Sequence, residues 1–185
     1  MQFNSYIFVL CFLPLCVCGY WIVNKFSIKM ADWFLIWISV IFYGYVNVKY
    51  VGILGISIVV NYIAYLLITR SKKNRKVFLV GGIACNILLL VYFKYFNFLI
   101  ENINMIFKGD FNIANIFLPL GISFFTFQQI GFLVDIYQNK IEIVSLKEYL
   151  LFVTYFPKIS QGPITPYCEI IDQFQDKTKR NINYD

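Results

Sequence analysis

The sequence predicts an all-α fold: a polytopic bundle of about five transmembrane helices, plus a broken segment that is re-entrant or interfacial. Of the 185 residues, 59% are hydrophobic and only 14% are charged, whereas soluble domains average about 45–50% apolar and 25% charged residues. Five long stretches contain no Asp, Glu, Lys or Arg, and about 20 mostly apolar residues suffice to cross a bilayer. A soluble domain of this size cannot bury so much apolar surface, so the surplus is expected to face lipid.

The order of the helices follows from the gaps between charged residues. The predicted spans are 6–23, 31–46, 50–68, 77–98 and 117–137. The first span has no basic segment before it and no small-residue cleavage pattern after it, so we expect a retained helix rather than a signal peptide. The second span is the shortest, and an oblique or partly re-entrant course remains open for it.

The character of the chain changes after the fifth span. Between Phe156 and Tyr167 it contains three prolines and a glycine, which forbid a continuous helix. Irregular backbone is tolerated at membrane depth only where it is buried in protein or lines a wet cavity. We therefore expect a broken interfacial or re-entrant segment over 147–168. A polar tail over 169–185 follows, and it ends without another hydrophobic unit, as a shortened chain would.

Basic residues are concentrated between two apolar stretches. The net charge is +6, and five of the 16 basic residues fall within 70–76. A basic loop between lipid-length segments is typical of a topology signal, whereas a nucleic-acid-binding protein carries its basic patch on a polar domain. We therefore expect a lipid bilayer as partner and no nucleic acid. The positive-inside rule places the N-terminus and 101–115 outside, and loop 69–76 and the chain from Asp135 on the cytoplasmic side.

The absence of His and the spacing of the cysteines also exclude several kinds of site. The chain has no His, which excludes His-metal sites and catalytic arrangements that use an imidazole. Its five cysteines are odd in number, form no CxxC pair and lie mostly in apolar runs. They are expected to be buried small hydrophobes, and no metal site is predicted.

Two asparagines lie inside the third and fourth spans. Asn61 and Asn86 stand about eight to ten residues from the shared basic loop, which at about 1.5 Å per residue gives both the same depth. Antiparallel neighbours would bring the two amides together, and Ser57 and Gly82 lie one turn away on the same helix faces. An interhelical hydrogen bond worth about 0.6–2 kcal/mol is one interpretation. A contact with substrate is the alternative.

The fifth span carries a polar stripe. Ser123, Thr126 and Gln129 recur at every third residue and are expected to face the bundle interior, because polar groups in a bilayer need partners. Gln128 points away from this arc, so the two glutamines are not expected to share a partner. Structural packing and the lining of a substrate tunnel both account for the stripe.

The broken segment supplies a second set of polar side chains. Lys158, Ser160, Gln161 and Thr165 lie among its prolines and are candidates for lining a vestibule on the cytoplasmic side. The alternative is an ordinary surface loop whose lysine extends its amino group toward the headgroups.

Six strings, in this order and spacing, resemble one family. They are FNSYIF at 3–8, FYGYVNVKY at 42–50, VNYIAYLLI at 60–68, YFKYFNF at 92–98, LPLGISFFTFQQIGFLVDIY at 118–137 and FPKISQGPI at 156–164. Over essentially its whole length the chain resembles the membrane-bound O-acyltransferases (MBOAT), specifically the branch with alginate O-acetyltransferase and the D-alanine-transfer protein of teichoic acid synthesis. The resemblance implies that residues 1–185 are the N-terminal part of one such domain in the plasma (inner) membrane.

The resemblance also implies what this part of the domain lacks. The family's reactive His lines a tunnel in the second half of longer proteins, where it helps to deprotonate the acceptor hydroxyl, so no catalytic residue is expected in this chain. An acyl donor, either acyl-CoA or an acyl carrier, is implied, with no bound cofactor. The implied partners are the C-terminal half and an extracytoplasmic acyl-transfer protein. By the same resemblance, 118–137 and 156–164 wall the cytoplasmic entrance to the tunnel.

Two functional hypotheses follow. The leading one is the N-terminal part of an enzyme that O-acetylates a cell-envelope polysaccharide, catalytically incomplete alone because the family histidine is absent. The alternative is a small non-enzymatic membrane scaffold or a transporter-like protein. Transporters often carry internal repeats and intramembrane acids, and the sequence shows neither.

Overall fold

The computed structural model describes residues 5–71, 73–107, 118–159 and 165–175. Within these ranges the chain forms helices and short connections and no strand. Four of the described helices are long and apolar enough to cross a membrane. The all-α membrane fold predicted from composition is therefore confirmed.

Single extended residues separate the first three long helices. After a π-helical turn at Phe8–Phe12 come α1 (Leu13–Phe26), α2 (Ile28–Val46) and α3 (Val48–Arg70). Ser27 and Asn47 have φ values of −161° and −166°, and this extended geometry allows consecutive helices to fold back on one another. Asn47 also caps α3, because its Oδ1 accepts a hydrogen bond from the Lys49 N–H at 3.0 Å. The chain breaks at these polar residues, so the helices extend a few residues beyond the predicted spans.

The fourth long helix continues well beyond residue 98, where the sequence predicts its end. Helix α4 (Arg75–Leu90) runs through a second π-helical turn, Val91–Tyr95, into α5 (Phe96–Phe107). The apolar stretch Arg75–Ile106 has 32 residues, which at about 1.5 Å per residue exceeds a hydrocarbon core of about 30 Å. No proline or glycine occurs between 91 and 107, so nothing ends the helix at 98.

The helix found at the fifth predicted span, 117–137, is shorter than the sequence predicts. Helix α6 (Ile122–Tyr137) has 16 residues, and residue 117 lies outside the described ranges. Pro119 and Gly121 precede it, and the φ of 69° at Gly121 lies in the left-handed region that glycine favours. This turn explains the late start, and α6 is not among the four described helices with the length of a membrane span.

The predicted segment 147–168 begins as regular helix. Its elements are α7 (Leu146–Thr154), the single turn α8 (Phe156–Ile159) and α9 (Tyr167–Gln175). A capping box starts α7: Ser145 Oγ accepts from the Glu148 N–H, and the Glu148 carboxylate accepts from the Ser145 N–H. The chain breaks at Tyr155, two residues before a proline. Residues 160–164, and the tail beyond 175, lie outside the described ranges.

The centre of the described bundle is formed by α3, α4 and α6, with α7 and α9 packed against it. Aromatic rings fill much of this core, and the centroids of Phe132 and Tyr149 lie 4.9 Å apart. A smaller cluster, which includes Phe8, Phe42 and Phe156, joins the first two helices to the break after α7. The outer faces of α1 to α4 expose many apolar side chains, as expected for surfaces that face lipid.

Three connections meet at one end of the bundle. Arg75 Nη2 donates to the carbonyls of Ile136 at 3.1 Å and Tyr137 at 3.2 Å, so the α3–α4 connection lies beside the end of α6. Because α2 is antiparallel to α3, the start of α2 lies at the same end. We call this the basic end, defined by Ser27, by the described residues of 71–74, and by 138–145.

Gly82 sets the approach of α4 to its neighbours. A Cβ at this position would lie 2.7 Å from Leu133 Cδ1 and 3.2 Å from Ala64 Cβ. At the adjacent Gly81, a Cβ would meet no atom within 4 Å. The contact between α3, α4 and α6 therefore depends on the missing side chain at position 82.

Replacing Gly82 by Leu is expected to lower the free energy of unfolding by about 1–3 kcal/mol, because the side chain would overpack the contact with Leu133 and Ala64. Gly81→Leu is the matched control, since its side chain would project into open space. Thermal unfolding of the purified chain in detergent compares the two variants. Equal losses from both, or none from Gly82→Leu, would contradict this packing.

Candidate functional site

Four polar side chains from three helices meet inside the bundle. Asn86 Nδ2 on α4 donates to Asn61 Oδ1 on α3 at 2.6 Å. Gln129 Oε1 on α6 accepts from Ser57 Oγ at 2.8 Å and also from Asn61 Nδ2. All four side chains are buried. We call Ser57, Asn61, Asn86 and Gln129 the polar cluster. It unites the two asparagines that the sequence places at equal depth with one residue of the polar stripe.

The geometry of each helix fixes the orientation of these amides. Asn61 Nδ2 donates to the Ser57 carbonyl at 2.9 Å, and Asn86 Nδ2 donates to the Gly82 carbonyl at 2.8 Å. Asn61 thereby directs an N–H toward Gln129. The atom of Gln129 that accepts this hydrogen bond is therefore Oε1. The opposite atom, Gln129 Nε2, has no hydrogen-bond partner among the described residues.

The remaining residues of the stripe point to different neighbours. Ser123 is half-buried, with its Oγ 3.4 Å from Lys94 Nζ. Thr126 is fully buried, and its Oγ1 has no partner among the described residues. Gln128 Nε2 donates to the Phe152 carbonyl on α7 at 2.9 Å. The two glutamines thus have separate partners, Gln128 on α7 and Gln129 on α3.

Hydroxyl groups on the long helices hold the irregular backbone in place. Ser39 Oγ accepts from the Phe156 N–H at 3.2 Å, at the break between α7 and α8. Tyr43 OH donates to the Leu120 carbonyl, in the turn before α6. Tyr65 OH accepts from the Val144 N–H at 2.9 Å, before α7. The polypeptide around α6 to α8 is therefore fixed by side chains of α2 and α3.

The predicted vestibule residues are only partly described. Lys158 Nζ hydrogen-bonds to Thr165 Oγ1, which bridges the two sides of the segment. Ser160 and Gln161 lie outside the described residues. Partial burial lowers the pKa of Lys158, and the nearby Glu169 carboxylate opposes that shift.

A narrow cleft borders this segment. It has a volume of about 120 Å³, and its lining includes Gln128, Asp135 and Thr165. The cleft connects one glutamine of α6 with the segment after α8. Lys158 is not one of its lining residues, although it contacts Thr165.

A larger, charged cleft lies between α2, α7 and α9 near the basic end. It has a volume of about 280 Å³, and in its wall Lys147 Nζ lies 2.6 Å from the buried Asp32 Oδ2. Burial raises the pKa of Glu148, but hydrogen bonds from Ser145 and Gln175 and the charge of Lys147 outweigh this and lower it overall. Glu148 is therefore held as a carboxylate beside the ion pair.

Sequence reasoning missed this charged cleft. Asp32 and Lys147 are separated by 114 intervening residues, and no local pattern pairs them. The one available signal is that Asp32 directly precedes an uncharged run, 33–48, where an acid needs a counter-ion. Ser39, Tyr43 and Tyr65 were missed for a similar reason, because hydroxyls inside apolar runs do not reveal which distant backbone they contact.

The arrangement is suited to hydrogen bonding rather than to acid–base chemistry. The polar cluster consists of amides and a hydroxyl, which do not titrate near neutral pH. Among the described residues, no group of three His, Cys, Asp or Glu side chains is placed to hold a metal ion. The interior of this bundle can therefore orient a polar ligand or pack polar helices together.

Replacing Asn61 and Asn86 by Leu, singly and together, is expected to reveal coupling between them. Each single variant should lose about 1–3 kcal/mol of unfolding free energy, because it leaves buried amide groups unpaired. The double variant should lose less than the sum, with a coupling energy of about 0.6–2 kcal/mol. Denaturant titration in mixed micelles provides the measurement.

Asn102→Leu on α5 serves as the control for this cycle. Its amide donates to the Phe98 carbonyl of its own helix at 2.6 Å, and the side chain is half-buried. Its loss should change stability by less than about 0.5 kcal/mol. Strictly additive losses from Asn61→Leu and Asn86→Leu would show that the two amides do not interact.

The chain is similar to several membrane acyltransferases. It is 35% identical to the peptidoglycan O-acetyltransferase of Helicobacter pylori, with 100% of this chain and 40% of that protein aligned. It is 29% identical to a probable alginate O-acetylase of Pseudomonas aeruginosa, with 96% of this chain and 35% of that protein aligned. Over 30% of this chain it is also 33% identical to the teichoic acid D-alanyltransferase of Lacticaseibacillus rhamnosus.

No family model and no solved structure matches the chain. The chain spans about 40% or less of the length of the curated relatives named above. The similarity nevertheless runs through the whole chain and covers the helices that carry the polar cluster. This chain belongs to the membrane-bound O-acyltransferase family, and it corresponds to the N-terminal part of such a protein.

Proposed function

We propose that this chain forms the N-terminal wall of an enzyme that transfers an acetyl group to a hydroxyl of a cell-envelope polysaccharide. The alignment with a peptidoglycan O-acetyltransferase over the full length of the chain carries the proposal. The membrane bundle supports it, because a donor and an acceptor on opposite sides of a bilayer must meet inside protein. The alginate O-acetylase relatives favour the same class of acceptor, a polysaccharide hydroxyl.

The chain's own contribution is positioning rather than proton transfer. Removal of a proton from a hydroxyl requires a base with a pKa near the working pH, and the 185 residues contain no His. We therefore assign the base to polypeptide beyond this chain. Thr126 and Gln129 offer hydrogen-bonding atoms that have no partner among the described residues, and such atoms can orient a polar group that passes beside α6.

We assign the segment around Lys158 and Thr165 to the donor side of the enzyme. Both acyl-CoA and an acyl carrier present a thioester next to phosphate-bearing groups, which favour a cationic lining. Lys158 lies next to the cleft that borders Gln128 and Thr165, because it contacts Thr165. The proposal extends to Ser160 and Gln161 as further lining residues.

We further propose that the enzyme resides in the plasma (inner) membrane with its basic end in the cytoplasm. Lys25 and Lys29, the cations of the α3–α4 connection, and Lys140 and Lys147 all belong to this end. The positive-inside rule counts such residues near the ends of membrane helices. This orientation puts the basic end in the cytoplasm and the N-terminus on the other side, so that a cytoplasmic donor would approach from the basic end.

Cysteine labelling in intact cells tests the orientation. In a background without the native cysteines, a probe at Glu101→Cys should react with a membrane-impermeant maleimide, and a probe at Asn74→Cys should react only after the cells are opened. Both native residues are exposed, so each probe is accessible from its own side. The reverse labelling pattern would invert the proposed topology.

Acetyl transfer by the full-length protein tests the functional assignment. Membranes that contain the full-length protein should move labelled acetyl groups from a thioester donor to envelope polysaccharide. Lys158→Met should raise the KM for the donor about tenfold or more and leave kcat nearly unchanged, because loss of a charge-assisted contact costs about 1.5–3 kcal/mol.

Lys25→Met provides the matched control. Lys25 is exposed, its Nζ lies 3.6 Å from the centroid of the Trp21 ring on its own helix, and it does not line the cleft beside Thr165, so its loss should leave the KM within about twofold, as expected for an exposed side chain. Equal increases in the KM for both variants would show that Lys158 does not belong to the donor side. Absence of transfer by folded full-length protein would favour a scaffold or transporter role instead.

A further inference from the structure

We propose that the α3–α4 connection binds the headgroup of an anionic phospholipid through Arg70, Lys73 and Lys76. The proposal rests on the membrane fold and the side-chain geometry, and it does not depend on the enzymatic function. Its ligand class is a phosphate-bearing lipid whose acyl chains lie along α3 and α4.

The first observation concerns cations that have no contact with another described residue. Several other cations of the basic end have partners in the chain, since Arg75 contacts backbone carbonyls, Lys140 and Lys147 contact carboxylates, and Lys25 lies over the Trp21 ring. By contrast, Arg70, Lys73 and Lys76 are exposed and form no ion pair, hydrogen bond or ring contact with another described residue. Three cations close together in the sequence, without counter-ions, attract an anion from outside the described protein.

The second observation is the apolar surface next to these cations. On α3, Ile63 is 50% exposed and lies two turns before Arg70, and Leu67 is 40% exposed and lies one turn before it. On α4, Val80 is 55% exposed and lies one turn after Lys76 on the same face. Arg70 and Lys76 thus each continue into exposed apolar surface that leads toward the middle of the membrane. This order of charge and apolar surface matches an amphiphile and not a free phosphate ion.

The third observation is that hydrogen bonds hold the described residues of the connection. The Asn74 N–H donates to Ser71 Oγ at 3.3 Å, and the Phe78 N–H donates to the Asn74 carbonyl at 3.2 Å. Arg75 ties the same connection to the end of α6 through Asn139 Oδ1 at 2.8 Å. Because these contacts fix Asn74 and Arg75 between Lys73 and Lys76, part of the ordering that binding requires is already supplied by the protein. The bound lipid would also hold α3, α4 and α6 together at this end.

Lipid binding to the purified full chain in detergent tests the proposal. Native mass spectrometry should detect bound phosphatidylglycerol, with an affinity at least tenfold above that for phosphatidylcholine. Phosphatidylglycerol should also raise the melting temperature, whereas inorganic phosphate and glycerol phosphate at the same concentration should not. Raising the salt from about 0.1 M to about 1 M shortens the screening length from about 10 Å to about 3 Å. It should therefore weaken the binding of phosphatidylglycerol and leave that of phosphatidylcholine unchanged.

Charge-neutral variants locate the site. R70Q/K73Q/K76Q should lower the affinity for phosphatidylglycerol about a hundredfold, since each cation near a membrane surface contributes about 1 kcal/mol. K25Q/K49Q/K140Q removes the same charge elsewhere and should retain most of the binding. If the first variant unfolds, the salt and lipid comparisons on the unaltered chain still decide the matter. Equal affinity for both lipids, stabilisation by phosphate alone, or equal loss in both triple variants would overturn the proposal.

Discussion

The structure depends on one constraint: inside a bilayer, every polar group must find its partner within the protein. Regular helices form the hydrogen bonds of their own backbone groups. Irregular segments and polar side chains must therefore find partners elsewhere in the protein. Here the long helices supply the missing partners. Ser39 and Tyr65 contact backbone N–H groups of distant segments, and Tyr43 contacts a distant carbonyl. The same hydroxyls therefore stabilise α2 and α3 and position the elements around the candidate donor side.

Local sequence patterns predicted the parts of the fold that depend on distances along one helix. Counting residues from the basic loop placed Asn61 and Asn86 at one depth, and the structure joins them by a hydrogen bond. Helical periodicity likewise separated Gln128 from Gln129, which contact α7 and α3 respectively. In both cases the relevant geometry spans only a few helical turns, so the spacing of residues carries it.

Other features depend on which distant elements pack together, and the sequence does not record that choice locally. The pairing of Asp32 with Lys147 requires that α2 and α7 be neighbours. The partner of Ser57 is Gln129, 72 residues later, and nothing around either residue specifies it. Helix ends behave similarly: the predicted span 77–98 is shorter than the helix, because a charged residue such as Glu101 ends an apolar pattern without ending the helix.

The long continuous helix from Arg75 to Phe107 has a consequence for the surrounding bilayer. Its second π-helical turn, Val91–Tyr95, begins about 24 Å along the axis from Arg75, close to where a hydrocarbon core of usual thickness ends. Each inserted residue rotates the following helical face by about 100°, because one turn takes about 3.6 residues. The half that follows can thus present a different side to lipid from the half that precedes it. A helix longer than the hydrocarbon core is accommodated by tilt or by local thickening of the membrane, so this one helix couples the protein to the thickness of the surrounding bilayer.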